Sequence, residues 1–178
     1  EARYRDALKI FREAVEGRDD LGVTDAPAFE GLARAHVYLG RIDLAETAYR
    51  RSVDLDPDYA SGHFNLAASH SQQGRFDAAI TALAEVQRIE GNTDRVVGSM
   101  VENAGSAHRV ELAREYGAIW MAAHPKDAAM LTLLGNVEGV NGNLNRARSF
   151  FERALAIAPG HGEAQTNLDT TLKLLSGQ

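Results

Sequence analysis

The chain has 178 residues, 44% of them apolar and 25% charged, with a formal net charge of −6 and no cysteine, an ordinary composition for a folded protein. The negative charge argues against non-specific binding to nucleic acid or to an anionic membrane surface, and the lack of cysteine excludes disulfides and thiol chemistry. No run of 18 apolar residues occurs, so no segment reads as spanning a bilayer, and no signal peptide is visible. A cysteine-free chain suits a reducing cytoplasm and a periplasm equally.

Residues 1–17 read as one helix, with Ala7, Phe11 and Ala14 on a single face. Ala7 opens a column that continues through Ala45, Ala79, Ala113 and Ala147, the last four spaced by 34 residues. Ala7 and Ala45 lie 38 residues apart, so residues 18–25 are expected to form an inserted loop. Residues 1–17 then resemble the second helix of a unit whose first helix is missing. The expectation is a fragment of a longer protein, with apolar surface around Phe11 exposed or covered by another copy.

Four units follow without insertion or deletion: 26–59, 60–93, 94–127 and 128–161. Each reads as helix, turn, helix. A proline column runs Pro57, Gly91, Pro125, Pro159, where a proline ends the second helix. Gly40, Gly74 and Gly142 follow the first helices, where a left-handed cap residue suits glycine. Asp43, Asp77 and Asn143 open the second helices as caps or as partners of the helix dipole. In the last unit Leu131, Leu133 and Leu134 mark one buried stripe, and Leu144, Ala147, Phe151, Ala154, Leu155 and Ile157 the other. The alanine column is expected where two helices cross closely.

The third unit departs from this pattern. It has His108 where glycine is usual, Gly117 where the large residue of Tyr49, Leu83 and Phe151 belongs, and Trp120 at a small-residue position. Its first helix also carries Gly98 and Gly105, which weaken a helix. The unit is expected to fold but to pack differently. Residues 162–176 read as a first helix, with Leu168 and Leu172 in register, serving as a capping helix at the carboxyl end.

The 34-residue spacing, with a bulky residue, Leu-Gly/Ala, a turn glycine, Ala, an aromatic, Ala and Pro at set places, resembles the tetratricopeptide repeat family. The resemblance implies an all-α fold, a right-handed α-solenoid (superhelix) in which stacked helix pairs line a concave groove. In that family the groove is lined chiefly by first helices at unit positions 2, 5, 6, 9, 12 and 13. Carried onto this chain, those positions select Arg34 and Tyr38, then Phe64, Asn65 and Gln72, then Arg95, Ser99 and Glu102. They also select Thr132 and Asn136, and Thr166, Asn167 and Lys173 in the last helix. Asn65 and Asn167 stand where some members hold an extended peptide backbone, because an amide both donates and accepts. Gly31, Ser99 and Leu133 interrupt any asparagine ladder. Glu30 occupies the place of the lysine used by chaperone-tail-binding members, which argues against that ligand.

No catalytic constellation is legible, and the chain is expected to be no enzyme and to need no cofactor. Asp54, Asp56 and Asp58 begin like a calcium loop, but Tyr59 and Asn65 stand where glycine and glutamate are needed. His36 and His70 share an inward column, His63 sits in a packing column, and His124 and His161 fall at turns; all read as structural, with no metal site. The carboxylates read as solvated. The function expected is a protein-binding scaffold that takes a peptide segment or helix of a partner in its groove. The resemblance suggests a bacterial assembly or secretion system. The alternatives are the recruiting arm of a larger glycosyltransferase or sulfotransferase, and self-association into a homo-oligomer through the incomplete amino-terminal unit.

Overall fold

The computed structural model describes the backbone of residues 2–16 and 25–177, and the side chains of 4–13 and 25–177. The loop expected at residues 18–25 lies outside the described residues except for Asp25. Ten α-helices and no strands make up the described residues. They are α1 (Ala2–Glu16), α2 (Ala26–Tyr38), α3 (Ile42–Leu55), α4 (Ala60–Gln72) and α5 (Phe76–Glu90), then α6 (Asp94–Ser106), α7 (Val110–Ala123), α8 (Ala128–Val140), α9 (Leu144–Ile157) and α10 (Gly162–Ser176). They divide into two compact units, Glu1–Gly91 and Asn92–Gln178.

The turns follow from backbone sterics. Gly40, Gly74 and Gly142 lie at φ of 71°, 71° and 80°, a region closed to most side chains. His108 holds the same conformation at φ 57°, so a residue with a Cβ does the glycine's work in that turn. The prolines stand two residues beyond α3, α7 and α9, and Gly91 replaces them after α5 with φ 75°. Of the two roles expected for the residues that open the second helices, the structure shows the dipole position and no side-chain cap. Asp43 and Asp77 lie inside the first turn of α3 and α5, while Arg41, Arg75 and Asn143 occupy the N-cap positions without a side-chain cap bond. The two aspartates therefore stand where a negative charge meets the positive end of the helix dipole.

Packing follows the alanine column. Ala45, Ala79, Ala113 and Ala147 are each 0% exposed, so each marks a close helix crossing with no room for a further methylene. Tyr49, Leu83 and Phe151 are buried beside them. Four stripe residues depart from the reading: Leu133, Leu144 and Leu155 are only half-buried, and Ile157 is 39% exposed.

The irregular repeat is repacked. In α8 a Cβ on Gly135 would come within 2.5 Å of the Phe151 ring, so a small residue faces a large one. The same two repeat positions hold Val101 and Gly117, a reversal of size. The space over Gly117 is taken by Leu134, 2.6 Å from where a Cβ would stand. Trp120 lies over Gly98, and Gly105 receives Val137. The Trp120 indole N–H donates to Asp127 Oδ2 at 2.9 Å, and Asp127 caps α8 by accepting from Met130 N at 3.0 Å. The two glycines of α6 thus accommodate neighbours, and the helix runs unbroken over Asp94–Ser106.

Candidate partner-binding surfaces

In the first unit, α1 and α2 bound a cleft of about 260 Å³. Phe11 forms its floor, lying over Gly31, where a Cβ would be 2.3 Å from the ring. Phe11 is half-buried by this contact, so the apolar surface expected to stand open there is partly covered by α2. Tyr38 is 58% exposed and stacks on Tyr4 with ring centroids 4.1 Å apart, forming one wall. Arg34 is exposed at the rim.

Asn65 lies apart from this cleft and is already engaged. Its amide donates to Glu30 Oε1 at 2.8 Å, while the Tyr59 hydroxyl donates to Glu30 Oε2. Glu30 therefore ties α4 to α2. Phe64 is half-buried and Gln72 exposed. A further cleft between α2 and α3 contains His36, whose Nδ1 is buried without a hydrogen-bond partner, and Arg51, which lies 6.0 Å over the Phe29 ring.

In the second unit, α8, α9 and α10 bound a cleft of about 420 Å³. Phe151 and Leu144 form the floor; Val140, 71% exposed, and Leu174, 58% exposed, form the walls. Asn136 and Asn167 meet here. The Asn167 amide donates to Asn136 Oδ1 at 2.7 Å, and the Asn136 amide donates to Glu163 Oε1 at 3.0 Å. Thr170 completes the polar rim, Thr171 is 5% exposed with its hydroxyl donated to the Asn167 carbonyl at 2.7 Å, and the lining carries no charged side chain.

Thr132 corrects the expectation. It is 2% exposed, and its hydroxyl donates to the Ala128 carbonyl at 2.8 Å, so it faces no open groove. The fifth position of α8 turns inward because the helix is packed on both sides. Thr166 is exposed and bonds back to the Gly162 carbonyl, Lys173 is exposed, and neither lines the cleft. Arg95 and Glu102 are exposed on α6 and Ser99 is half-buried, outside that cleft. Thr170 was missed, although it stands at the ninth position, the column that selected Arg34 and Asn136. Leu174 and Val140 were missed as well, although both stand at the thirteenth position, the column that selected Tyr38 and Gln72.

Two carboxylates also escaped the reading that all are solvated. Glu138 is 1% exposed and accepts two bonds from Arg114, at 2.6 and 2.7 Å. Bonding from Arg114 outweighs burial and lowers its pKa. Glu46 accepts from Arg75, Arg50 and Gln73, and the Arg75 bond above all holds its carboxyl down at about 2. His161 caps α10 through Nδ1, which accepts from Ala164 N at 3.3 Å, and His124 pairs with Asp94 at 3.0 Å. Among the described residues no three potential ligands gather for a metal ion, and no helix is long and apolar enough to cross a membrane.

Against known proteins, the chain is 23% identical over 93% of its length to the human (Homo sapiens) protein O-mannosyl-transferase TMTC1, and it spans 19% of that protein's length. Among solved structures, MamA superposes with a TM-score of 0.73 at 17% identity, over 83% of this chain and 81% of that one. YrrB, described as a tetratricopeptide repeat protein with an unusual peptide-binding site, also scores 0.73 at 17% identity, over 97% of this chain and 87% of that one. At such identities the likeness concerns the fold, which is that of an α-solenoid. The tetratricopeptide repeat model matches residues 31–92 and 102–162, more than half the chain. The helical pairs, the alanine crossings and the left-handed turns described above are the physical content of that match, and the chain belongs to the tetratricopeptide repeat family.

Proposed function

We propose that this chain is a non-catalytic interaction module that holds an extended segment of a partner protein against its first helices. The observation carrying this reading is the cleft between α8 and α10: an apolar floor and walls, with an asparagine pair and Thr170 at the rim. Apolar walls take a side chain by the hydrophobic effect, and rim amides match the alternating donors and acceptors of an extended backbone. The test is selection from a displayed random-peptide library by the whole chain, followed by amide chemical-shift mapping. Selected peptides should move the Gly135 and Gly139 amides. Leu174→Asp, a change at an exposed residue, should weaken them about tenfold or more. Peptides that leave those amides unmoved, or that bind the variant equally, would overturn the reading.

The human relative favours a second reading at the level of the parent protein. Its name is that of a mannosyl transferase, and this chain matches only a fraction of its length. The module would then recruit substrate for a catalytic domain elsewhere in a longer polypeptide. The complete reading frame tests this directly: a flanking transferase domain supports it, and its absence removes it.

A further inference from the structure

The clefts of the two units are equivalent in the repeat. Tyr4 and Leu144 occupy one repeat position, Phe11 and Phe151 a second, Arg34 and Thr170 a third, and Tyr38 and Leu174 a fourth. Both clefts have an aromatic floor and one exposed wall residue on the following first helix. They differ in charge. Where the second unit presents Thr170, the first presents a guanidinium. No carboxylate among the described residues pairs with Arg34. Glu30, one turn earlier on α2, is bound to Tyr59 and Asn65.

We propose that the first-unit cleft is an acid-selective subsite. It takes a bulky apolar side chain onto Phe11 between the α2 backbone and the Tyr4–Tyr38 stack, and a Glu or Asp side chain two residues away onto Arg34. The spacing follows from extended-chain geometry. Side chains at i and i+2 lie on one face about 6.6 Å apart, and Arg34 stands three residues, about 4.5 Å of helix rise, from Gly31. Arg34 is exposed, so it meets a carboxylate at the cleft's rim through the two parallel N–H bonds that a guanidinium offers. The second-unit cleft, with an uncharged lining, takes a neutral apolar residue. The inference rests on the peptide-binding reading above.

The experiment uses the whole chain and four acetylated pentapeptides followed by amide chemical shifts. One carries Glu-Ala-Phe at its centre and one Gln-Ala-Phe, both amidated at the carboxyl end. A third ends in Gln-Ala-Phe with a free carboxylate. A fourth carries Glu-Ala-Ala and is amidated. The Glu-Ala-Phe peptide is expected to move the Gly31 and Ala35 amides with a Kd about tenfold below that of Gln-Ala-Phe. The fourth peptide should bind weakly. Arg34→Gln should erase the preference for glutamate, and Tyr38→Ala should weaken both Phe peptides alike. Both variants change exposed side chains, and circular dichroism checks that they keep the helical fold. Equal affinity of the Glu and Gln peptides at Gly31 overturns the inference, as does tightest binding by the free-carboxylate peptide. If peptides move Gly139 while Gly31 is indifferent to charge, only this inference fails. If no peptide moves either cleft, the peptide-binding reading fails with it.

Discussion

At the residue scale, single side chains sit where backbone geometry or close packing leaves little choice. His108 adopts φ 57° where the other turns use glycine, and a Cβ in that region meets its own carbonyl. His108→Gly should stabilise the protein by about 1 kcal/mol, less than the steric relief because glycine loses more backbone entropy on folding. A rise in the urea midpoint with an unchanged slope is the expected result. Ala79 is 0% exposed, so Ala79→Leu should cost roughly 1–3 kcal/mol by overpacking, read by the same titration. Both positions were legible as repeat columns. The exchange of size between Val101 and Gly117 was legible only as an anomaly, since the side chain that fills the space over Gly117, Leu134, comes from the next repeat.

At the element scale, helices are clasped by a device that repeats with its charges inverted. In the first unit Glu46 on α3 meets His70 at the end of α4, 4.0 Å away, and Arg75 at the start of α5. In the second, Arg114 on α7 meets Glu138 at the end of α8, and Asn143 before α9 also bonds Glu138. Glu46 and Arg114 hold the same repeat position, as do His70 and Glu138. Arg114→Met should strand a buried carboxylate and cost about 3 kcal/mol, whereas pairing it with Glu138→Leu should recover most of that loss. A double-mutant cycle by chemical denaturation measures both.

The first-unit clasp titrates, and its direction can be worked out. Burial lowers the pKa of His70, Glu46 opposes that shift, and Arg75 and Arg50 reinforce it. Burial likewise lowers that of His36, with Arg41 adding to the effect. The unfolded chain takes up these protons near pH 6.5, before the folded chain does, so their contribution is present above 6.5 and lost as pH falls below it. Glu46 acts in the same direction lower down, between its ordinary 4.5 and about 2. Urea titrations from pH 7.5 to 5 should show falling stability, and His70→Gln should flatten that slope. The columns were visible in the sequence. The clasp was not, because charge pairing joins residues 24 apart that no local pattern connects.

At the scale of the whole molecule, two compact units share one repeat design. Repeats interact mainly with their neighbours, so energetic damage stays local. Native-state hydrogen exchange should show Ala147→Leu reducing amide protection in α8, α9 and α10 while α2 and α3 keep theirs; uniform loss would contradict that locality. The sequence by itself determined the helical pairs, the period, the left-handed turns and the buried alanines, because these follow from local sterics and from a period repeated often enough to exceed chance. The tertiary structure decided which polar groups remain open to a partner. Asn65 is spent on Glu30, Thr132 is buried, and Arg34 is left at the mouth of an apolar cleft. A repeat column specifies where a side chain starts, whereas its freedom depends on what the neighbouring helices bring against it.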